Sequence, residues 1–109
     1  MLVHYQGTTY ELYSENLSER GIYVVKKDPF PVGSDVEVTL PIWKENTIKL
    51  NGEVVHIRGL FGDVFKLLPG MGIRFKKITD DKLNLLRNYL EKLIASDILD
   101  NLKEIIIKD

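Results

Sequence analysis

Apolar and polar residues alternate over much of the first 78 positions, and this period of two is typical of β-strands. Segments that contain glycine or proline separate the alternating runs, among them the pairs Asn51-Gly52 and Pro69-Gly70. The runs themselves occupy residues 22–25, 36–40, 48–50, 53–57 and 71–75. Five or six strands at this spacing, with no helix between them, predict a mainly β fold, either an antiparallel barrel or a sandwich.

The pattern becomes helical after Ile78, where Thr79 is a suitable N-cap residue and two aspartates follow it. Beyond residue 95 the apolar stripe rotates, so we expect either one helix with a displaced stripe or a break near residues 95–97. The chain is predicted to be a single domain, with a barrel at residues 1–78 and a helical extension at residues 79–109 that packs on it. The first stripe consists of residues at spacings of three and four, namely Leu83, Leu86, Leu90, Leu93 and Ile94.

The later part of the helical extension carries apolar residues that have no evident partner within the barrel. One expectation is that this stripe folds back on the barrel, and the other is that Ile98, Leu102 and Ile105 contact a second chain. A homo-oligomer would then form through the C-terminal helix. Trp43, which follows a predicted strand, is a further candidate for contact with a partner protein, since aromatic anchors are enriched at interfaces.

Charge and composition narrow the class of protein. The 109 residues contain 15 Lys and Arg against 16 Asp and Glu, so the formal net charge is -1. This balance argues against nucleic-acid binding and against attachment to an anionic membrane surface. No run approaches the roughly 18 apolar residues of a membrane span, and the first residues do not resemble a signal peptide. We therefore expect no membrane insertion and a cytoplasmic location.

Side chains suited to catalysis or metal binding are scarce. The chain has no cysteine, and its two histidines are His4 and His56. A zinc site would therefore need carboxylates from distant segments. His56 lies in an apolar strand run, where a packed or edge histidine is expected rather than a catalytic one. Because no pattern indicates a base beside a nucleophile, we expect no enzymatic activity, no metal ion and no cofactor.

One motif is more specific than periodicity, the sequence N-x-S-x-x-G formed by Asn16, Ser18 and Gly21 directly before a predicted strand. Asn and Ser side chains bond to nearby backbone groups or to an external ligand. Glycine permits a positive φ or the close approach of another group. By itself the motif describes a structural turn as well as it describes a binding loop.

The order of segments around this motif resembles the PilZ domain family. A glycine-led strand that ends in Leu-Pro follows at residues 33–41, and the strand G-M-G-I-R-F at residues 70–75 precedes the helix. The resemblance implies a six-stranded antiparallel barrel followed by a C-terminal helix. It also implies a non-catalytic role in bacterial signalling, such as the regulation of motility or pili.

Many PilZ domains bind cyclic di-GMP with two elements, an arginine-rich R-x-x-x-R segment ahead of the first strand and a D/N-x-S-x-x-G turn. By this resemblance Asn16, Ser18 and Gly21 match the second element. The first element is missing, since no arginine precedes Arg20. Each charge-assisted bond to a ligand contributes roughly 1.5–3 kcal/mol. The loss of two such bonds lowers the affinity on the order of 10²–10⁴-fold.

We therefore expect weak or absent binding of cyclic di-GMP and action through contacts with other proteins. The alternative is a working receptor in which Arg20, Arg58 or Arg74 compensates for the missing arginines, or in which residues upstream supply them. A further alternative of another class is an oligonucleotide-binding barrel, with base stacking by Tyr5, Tyr10, Tyr13 and Tyr23.

Overall fold

The computed structural model describes residues 1–43, 46–58 and 69–108, and within these ranges it describes the side chains outside residues 42–43 and 95–108. The predicted mainly β fold with a C-terminal helix is confirmed. The described residues form seven strands rather than six, and one of the seven is only two residues long. The elements are β1 (Leu2–Tyr5), β2 (Thr8–Glu11), β3 (Ser14–Glu15), β4 (Gly21–Val25), β5 (Asp35–Trp43), β6 (Asn46–Arg58), β7 (Gly70–Phe75) and α1 (Asp80–Lys108).

All strand pairs are antiparallel, and the strands form one sheet in the order β2-β1-β5-β6-β7-β4-β3. The two edge strands, β2 and β3, are separated by only two residues along the chain. The sheet therefore has to curl until its two edges lie close together, which gives the barrel-like shape. The strands β4, β7 and β6, which matter most below, are direct neighbours in this sheet.

The core lies on the concave face of the sheet, and regular alternation along the strands builds it. On β7, for example, Met71, Ile73 and Phe75 are buried, whereas Arg74 points outwards and is exposed. The pair Asn51-Gly52 is not the predicted turn, because both residues lie within β6. Gly52 faces the core, where a Cβ atom would lie 2.5 Å from a methyl group of Ile73. The glycine therefore makes room for a neighbouring side chain.

Helix α1 begins as expected from its capping residues. The backbone N–H of Leu83 donates to the Thr79 carbonyl at 2.9 Å, and that of Lys82 donates to Thr79 Oγ1 at 3.4 Å. The helix is continuous through residues 95–97, so the alternative of a break there is wrong. Neither glycine nor proline occurs in that stretch, and its residues are compatible with a helix. The predicted contact residues Trp43, Ile98, Leu102 and Ile105 have side chains outside the described part.

Among the described side chains of α1, residues 80–94, those of the first turns pack against the sheet. Leu86 is fully buried in the core and Leu90 packs at its margin, whereas Leu93 and Ile94 are 40% and 61% exposed. The ammonium group of Lys82 adds a polar contact by donating to the Lys49 carbonyl on β6 at 2.8 Å. None of the helices in the described ranges is both long enough and apolar enough to cross a lipid bilayer.

The burial of Leu86 predicts that the helix stabilises the sheet. We expect Leu86→Ala to lower the free energy of unfolding by about 2–4 kcal/mol, since it removes a buried side chain and leaves a cavity. The matched control is Leu85→Ala on the same helix turn, where the side chain is 46% exposed and the loss should stay below about 1 kcal/mol. Urea unfolding followed by circular dichroism measures both. Equal losses for the two variants would contradict this docking of α1.

Candidate functional site

The N-x-S-x-x-G motif forms a compact turn that closes on itself before β4. The Ser18 hydroxyl accepts hydrogen bonds from the backbone N–H groups of Arg20 and Gly21 at 3.2 and 3.3 Å. The Ser18 N–H in turn donates to the Gly21 carbonyl at 2.9 Å. Asn16 has a φ of 53°, a left-handed conformation that asparagine tolerates better than most residues. Local bonding therefore fixes the shape of the turn.

The turn is also held against the sheet and the helix. The Arg20 carbonyl accepts a hydrogen bond from the Phe75 N–H at 2.8 Å, which joins the turn to the end of β7. From the middle of the turn, Glu19 receives the Arg87 side chain of α1, with distances of 2.8 Å from Nε to Oε1 and 3.5 Å from Nη2 to Oε2. The turn is thus attached both to a central strand and to the helix.

The turn leads into the convex face of the sheet, opposite the core. Residues paired across antiparallel strands present their side chains on the same face. Gly21 pairs with Arg74, and two residues further along β4 the next outward pair is Tyr23 and Gly72. The third outward pair brings Gly70 opposite Val25. A shallow surface therefore runs along β4 and β7, with glycines at three of its positions.

A β-bulge on β6 completes this surface. Val54 pairs with Ile73 but His56 pairs with Gly72, so Val55 is an extra residue on β6. Before the bulge, the even-numbered residues of β6 face the core. After it, His56 and Arg58 lie opposite Gly72 and Gly70 and therefore share their outward face. In a regular strand both side chains would point towards the core.

The glycines of β7 leave space that neighbouring side chains fill. A Cβ atom on Gly72 would lie 2.0 Å from Cε1 of His56, and one on Gly70 would lie 3.0 Å from the Tyr23 hydroxyl. The rings of Tyr23 and His56 are nearly parallel, with centroids 6.2 Å apart and an interplanar angle of 19°. Both rings thus lie against the backbone of β7, at positions where glycine carries no side chain.

A cavity of about 400 Å³ occupies this face of the sheet. All six residues that the sequence suggested as ligand contacts, three from the turn motif and three arginines, line it. Val55 and His56, which the sequence assigns to no site, join them, and so does Tyr23, which the sequence suggests only for base stacking. The suggested set is Asn16, Ser18, Arg20, Gly21, Arg58 and Arg74.

His56 was expected to be a packed or edge histidine. It lies exposed on β6, in the part of the strand beyond the residues that pair with β5, where it packs over Gly72 and lines the cavity. The bulge at Val55 is the reason, because it turns the side chain away from the core. Neither periodicity nor any sequence motif marks such a bulge, although a histidine in an otherwise apolar strand was a visible irregularity.

The cavity carries positive charge from three arginines. Arg58 lies over the ring of Tyr23, with its guanidinium carbon 5.1 Å from the ring centroid, and Tyr23 itself is only 8% exposed. Arg74 is opposite Glu53 in the strand register, and Glu53 lies 3.5 Å from the ammonium group of Lys76. Such guanidinium groups suit phosphate oxygens and the acceptor edge of guanine, to which arginine donates two parallel hydrogen bonds.

Lys76 belongs to a separate ionic cluster at the end of β7. Its ammonium group is bound to Asp35 on β5 and lies near Glu53 on β6. The hydrogen bond with Asp35 is the main cause of a pKa raised above the ordinary lysine value, and the charges of both carboxylates add to it. The ion pairs of Lys76 therefore join the end of β7 to β5 and β6.

The described residues give little support to two other kinds of site. Tyr5 and Tyr10, which were considered for base stacking, pack against Phe30 with ring centroids 4.0 and 5.2 Å away. Their rings are therefore engaged within the fold, in contrast to the open aromatic platform of oligonucleotide-binding barrels. Within the ranges described, no group of three or more His, Cys, Asp or Glu side chains is arranged to hold a metal ion.

Comparison with known proteins places this geometry in a family. Among solved structures, the fold is similar to the PlzA protein of Borreliella burgdorferi, which was crystallised in complex with c-di-GMP. The TM-score is 0.56 at 17% sequence identity, over 81% of this chain and 31% of PlzA, so the chain spans about a third of that protein. No curated protein sequence matches the chain. The sequence model of the PilZ domain matches residues 1–92, and the chain therefore belongs to the PilZ domain family.

Proposed function

We propose that this chain is a non-catalytic, cytoplasmic signalling domain that binds cyclic di-GMP in the cavity on the convex face of β4, β7 and β6. The observation that carries the proposal is the convergence of the turn motif and three arginines on one cavity. Membership of the PilZ family and the likeness to a PilZ protein crystallised with c-di-GMP support the choice of ligand.

The arginines are distributed along the whole surface, so an elongated ligand can reach more than one of them. Arg74 lies opposite Gly21 at one end of the surface, and Arg58 lies opposite Gly70 at the other. The two positions, residues 74 and 70 of β7, are four residue steps apart, which corresponds to about 13 Å at the rise of an extended strand. Arg20 adds a third guanidinium group at the turn. Cyclic di-GMP offers each of them either a phosphate oxygen or the O6 and N7 atoms of a guanine.

The affinity of residues 1–109 should be modest, because residues 1–15 supply no R-x-x-x-R segment. The turn supplies few free donors, since the backbone N–H groups of Arg20 and Gly21 already donate to the Ser18 hydroxyl. The three arginines are fixed on strands or beside one, and they contribute charge at partly exposed positions where salt screens it. We expect a dissociation constant on the order of 10⁻⁵–10⁻³ M, weaker than a receptor that has both elements.

Isothermal titration with cyclic di-GMP tests the proposal. We expect saturable binding in low salt, and we expect Arg74→Ala and Arg58→Ala each to weaken it about five- to twentyfold through loss of a charge-assisted bond. Lys49→Ala is the matched control, since it removes an exposed cation from β6 outside the cavity lining and should leave the affinity unchanged. Cyclic di-AMP, which has the same phosphates but different bases, measures base selectivity.

Two results would contradict this assignment. The absence of saturable binding up to millimolar ligand would remove the receptor function and leave action through protein contacts alone. Binding that resists Arg58→Ala and Arg74→Ala would show that the ligand sits elsewhere. A low-micromolar dissociation constant would support the receptor and contradict its expected weakness.

We further propose that the helical extension, residues 79–109, passes the signal on through protein contacts while residues 1–78 hold the ligand. Leu93 and Ile94 support this division, because both are substantially exposed at the end of the part of α1 whose side chains are described. Ile98, Leu102 and Ile105 follow them on the same helix and remain predicted contact residues. Trp43 remains a predicted contact at the end of β5.

Truncation after Ala95 tests the contact of one copy with another. We expect the full chain to sediment as an oligomer at micromolar concentrations and the truncated chain to sediment as a monomer, because the truncation removes the apolar residues of the distal helix. Circular dichroism of the truncated chain should retain the strand signal, which controls for loss of the fold. An identical mass for both forms would rule out self-association through this segment.

A further inference from the structure

His56 lies at the centre of the cationic row on the convex face. Arg74, His56 and Arg58 occupy successive outward positions along the β6–β7 pair, opposite Glu53, Gly72 and Gly70 respectively. Successive outward positions on a strand are about 7 Å apart. A ligand that spans the two arginines therefore has to pass over the imidazole ring.

The surroundings hold the ring at this position. Gly72 lacks the Cβ atom that would collide with Cε1, Nδ1 and Nε2 of the imidazole at 2.0 to 2.6 Å. Tyr23 stacks beside it and is itself almost buried, with Arg58 over its ring. The imidazole thus packs on the backbone of β7 beside an almost buried aromatic ring, while it remains exposed towards the cavity.

An imidazole at this place adds a hydrogen-bond donor for the ligand. The family resemblance implies two arginines ahead of the turn, and residues 1–15 contain none, while the donors of the turn are largely used internally. We propose that His56 is a ligand-contacting residue that donates a hydrogen bond from a ring nitrogen to a phosphate oxygen of the bound dinucleotide, and that it makes binding dependent on pH. This inference rests on the proposed binding of cyclic di-GMP.

The charge of the ligand sets the sign of that dependence, since the charged groups around the ring are present with and without it. Among the described residues, Arg20 comes from the turn before β4, Arg74 from β7, and Arg58 and Glu53 from β6, while Tyr23 of β4 adds its phenol ring. A bound dianion adds negative charge beside the ring and therefore favours its protonated form.

Linkage then requires that affinity rise as the solution becomes more acidic. A histidine side chain ordinarily titrates near pH 6.5, and cyclic di-GMP itself has no group that titrates between pH 6 and 8. The gain in affinity that a protonated imidazole provides is therefore fully present below pH 6 and is lost as the pH rises from 6 to 8. We expect the affinity for cyclic di-GMP to increase about two- to sixfold from pH 8.0 to 6.0.

The chain provides its own control, because His4 is the only other histidine. His4 lies on β1, where its ring nitrogens are 2.8 Å from Thr9 Oγ1 and 3.2 Å from Thr39 Oγ1, and it is absent from the cavity lining. We expect His56→Gln to flatten the pH dependence of the titration while some binding at pH 8.0 is retained. His4→Gln should leave the dependence intact.

Gly72→Ala is a second variant, which keeps the imidazole but displaces it. A methyl group at this position would occupy the space of the ring, and the ring is an exposed side chain that can move away. We expect the pH dependence to fall as it does in His56→Gln, with a melting temperature close to that of the unmodified chain. The imidazole ¹H signals, followed by NMR with and without cyclic di-GMP, give a readout that does not depend on affinity.

The outcomes separate this inference from the proposed function. Binding that tightens on acidification in the unmodified chain and in His4→Gln, but not in His56→Gln, supports the inference. Binding with the same affinity at pH 6.0 and 8.0, or the same pH dependence in His56→Gln, overturns the role of His56 and leaves the receptor function standing. The absence of binding at every pH overturns both proposals.

Discussion

The β-bulge at Val55 is the constraint on which the candidate site depends. An antiparallel strand presents alternate residues to its two faces, so the insertion of a single residue exchanges the faces for everything that follows. On β6 the exchange occurs between Val54, which is fully buried in the core, and His56, which is exposed on the convex face. One strand thereby contributes to the core in its first part and to the cavity in its last part.

The cavity also requires small residues on the adjacent strand. Gly72 and Gly70 of β7 leave the space into which the rings of His56 and Tyr23 fit. Gly21 has a similar role at the turn, where a Cβ atom would lie 2.3 Å from the Ile73 carbonyl oxygen. The convex face is consequently built from side chains of β4 and β6 that pack over the glycines of β7. The arginines lie at the two ends of this face. Such a surface is open enough for a flat, elongated anion.

The turn connects this face to the helix. Glu19 is in the middle of the motif and pairs with Arg87 of α1, one residue after the buried Leu86. The ion pair is partly exposed, so its energy is small, on the order of 1 kcal/mol or less. Its position matters more than its strength, because a shift of the turn on ligand binding would reach the helix through this contact.

Several features of the structure could be predicted from the sequence. The alternation of apolar and polar residues predicts the strands that form the core, and Thr79 with the leucines that follow it predicts the helix. The turn motif predicts part of the candidate site. The role of Gly52 could not be predicted, because glycine serves a turn and a crowded strand equally well. The convergence of Arg58, Arg74 and His56 depends on strand register and on a bulge, and these arise from long-range pairing that no local pattern records.

The most direct test of the account is where cyclic di-GMP changes the backbone amide signals of the ¹⁵N-labelled protein. The account predicts that the changes concentrate at residues 16–23, 55–58 and 70–74, with smaller effects at Arg87 through its contact with Glu19. Strands β1 and β2, which contribute no residue to the lining of the cavity, should remain unchanged. Changes centred on β1 and β2, or no changes at saturating ligand, would contradict the claim that the bulged convex face is the binding site.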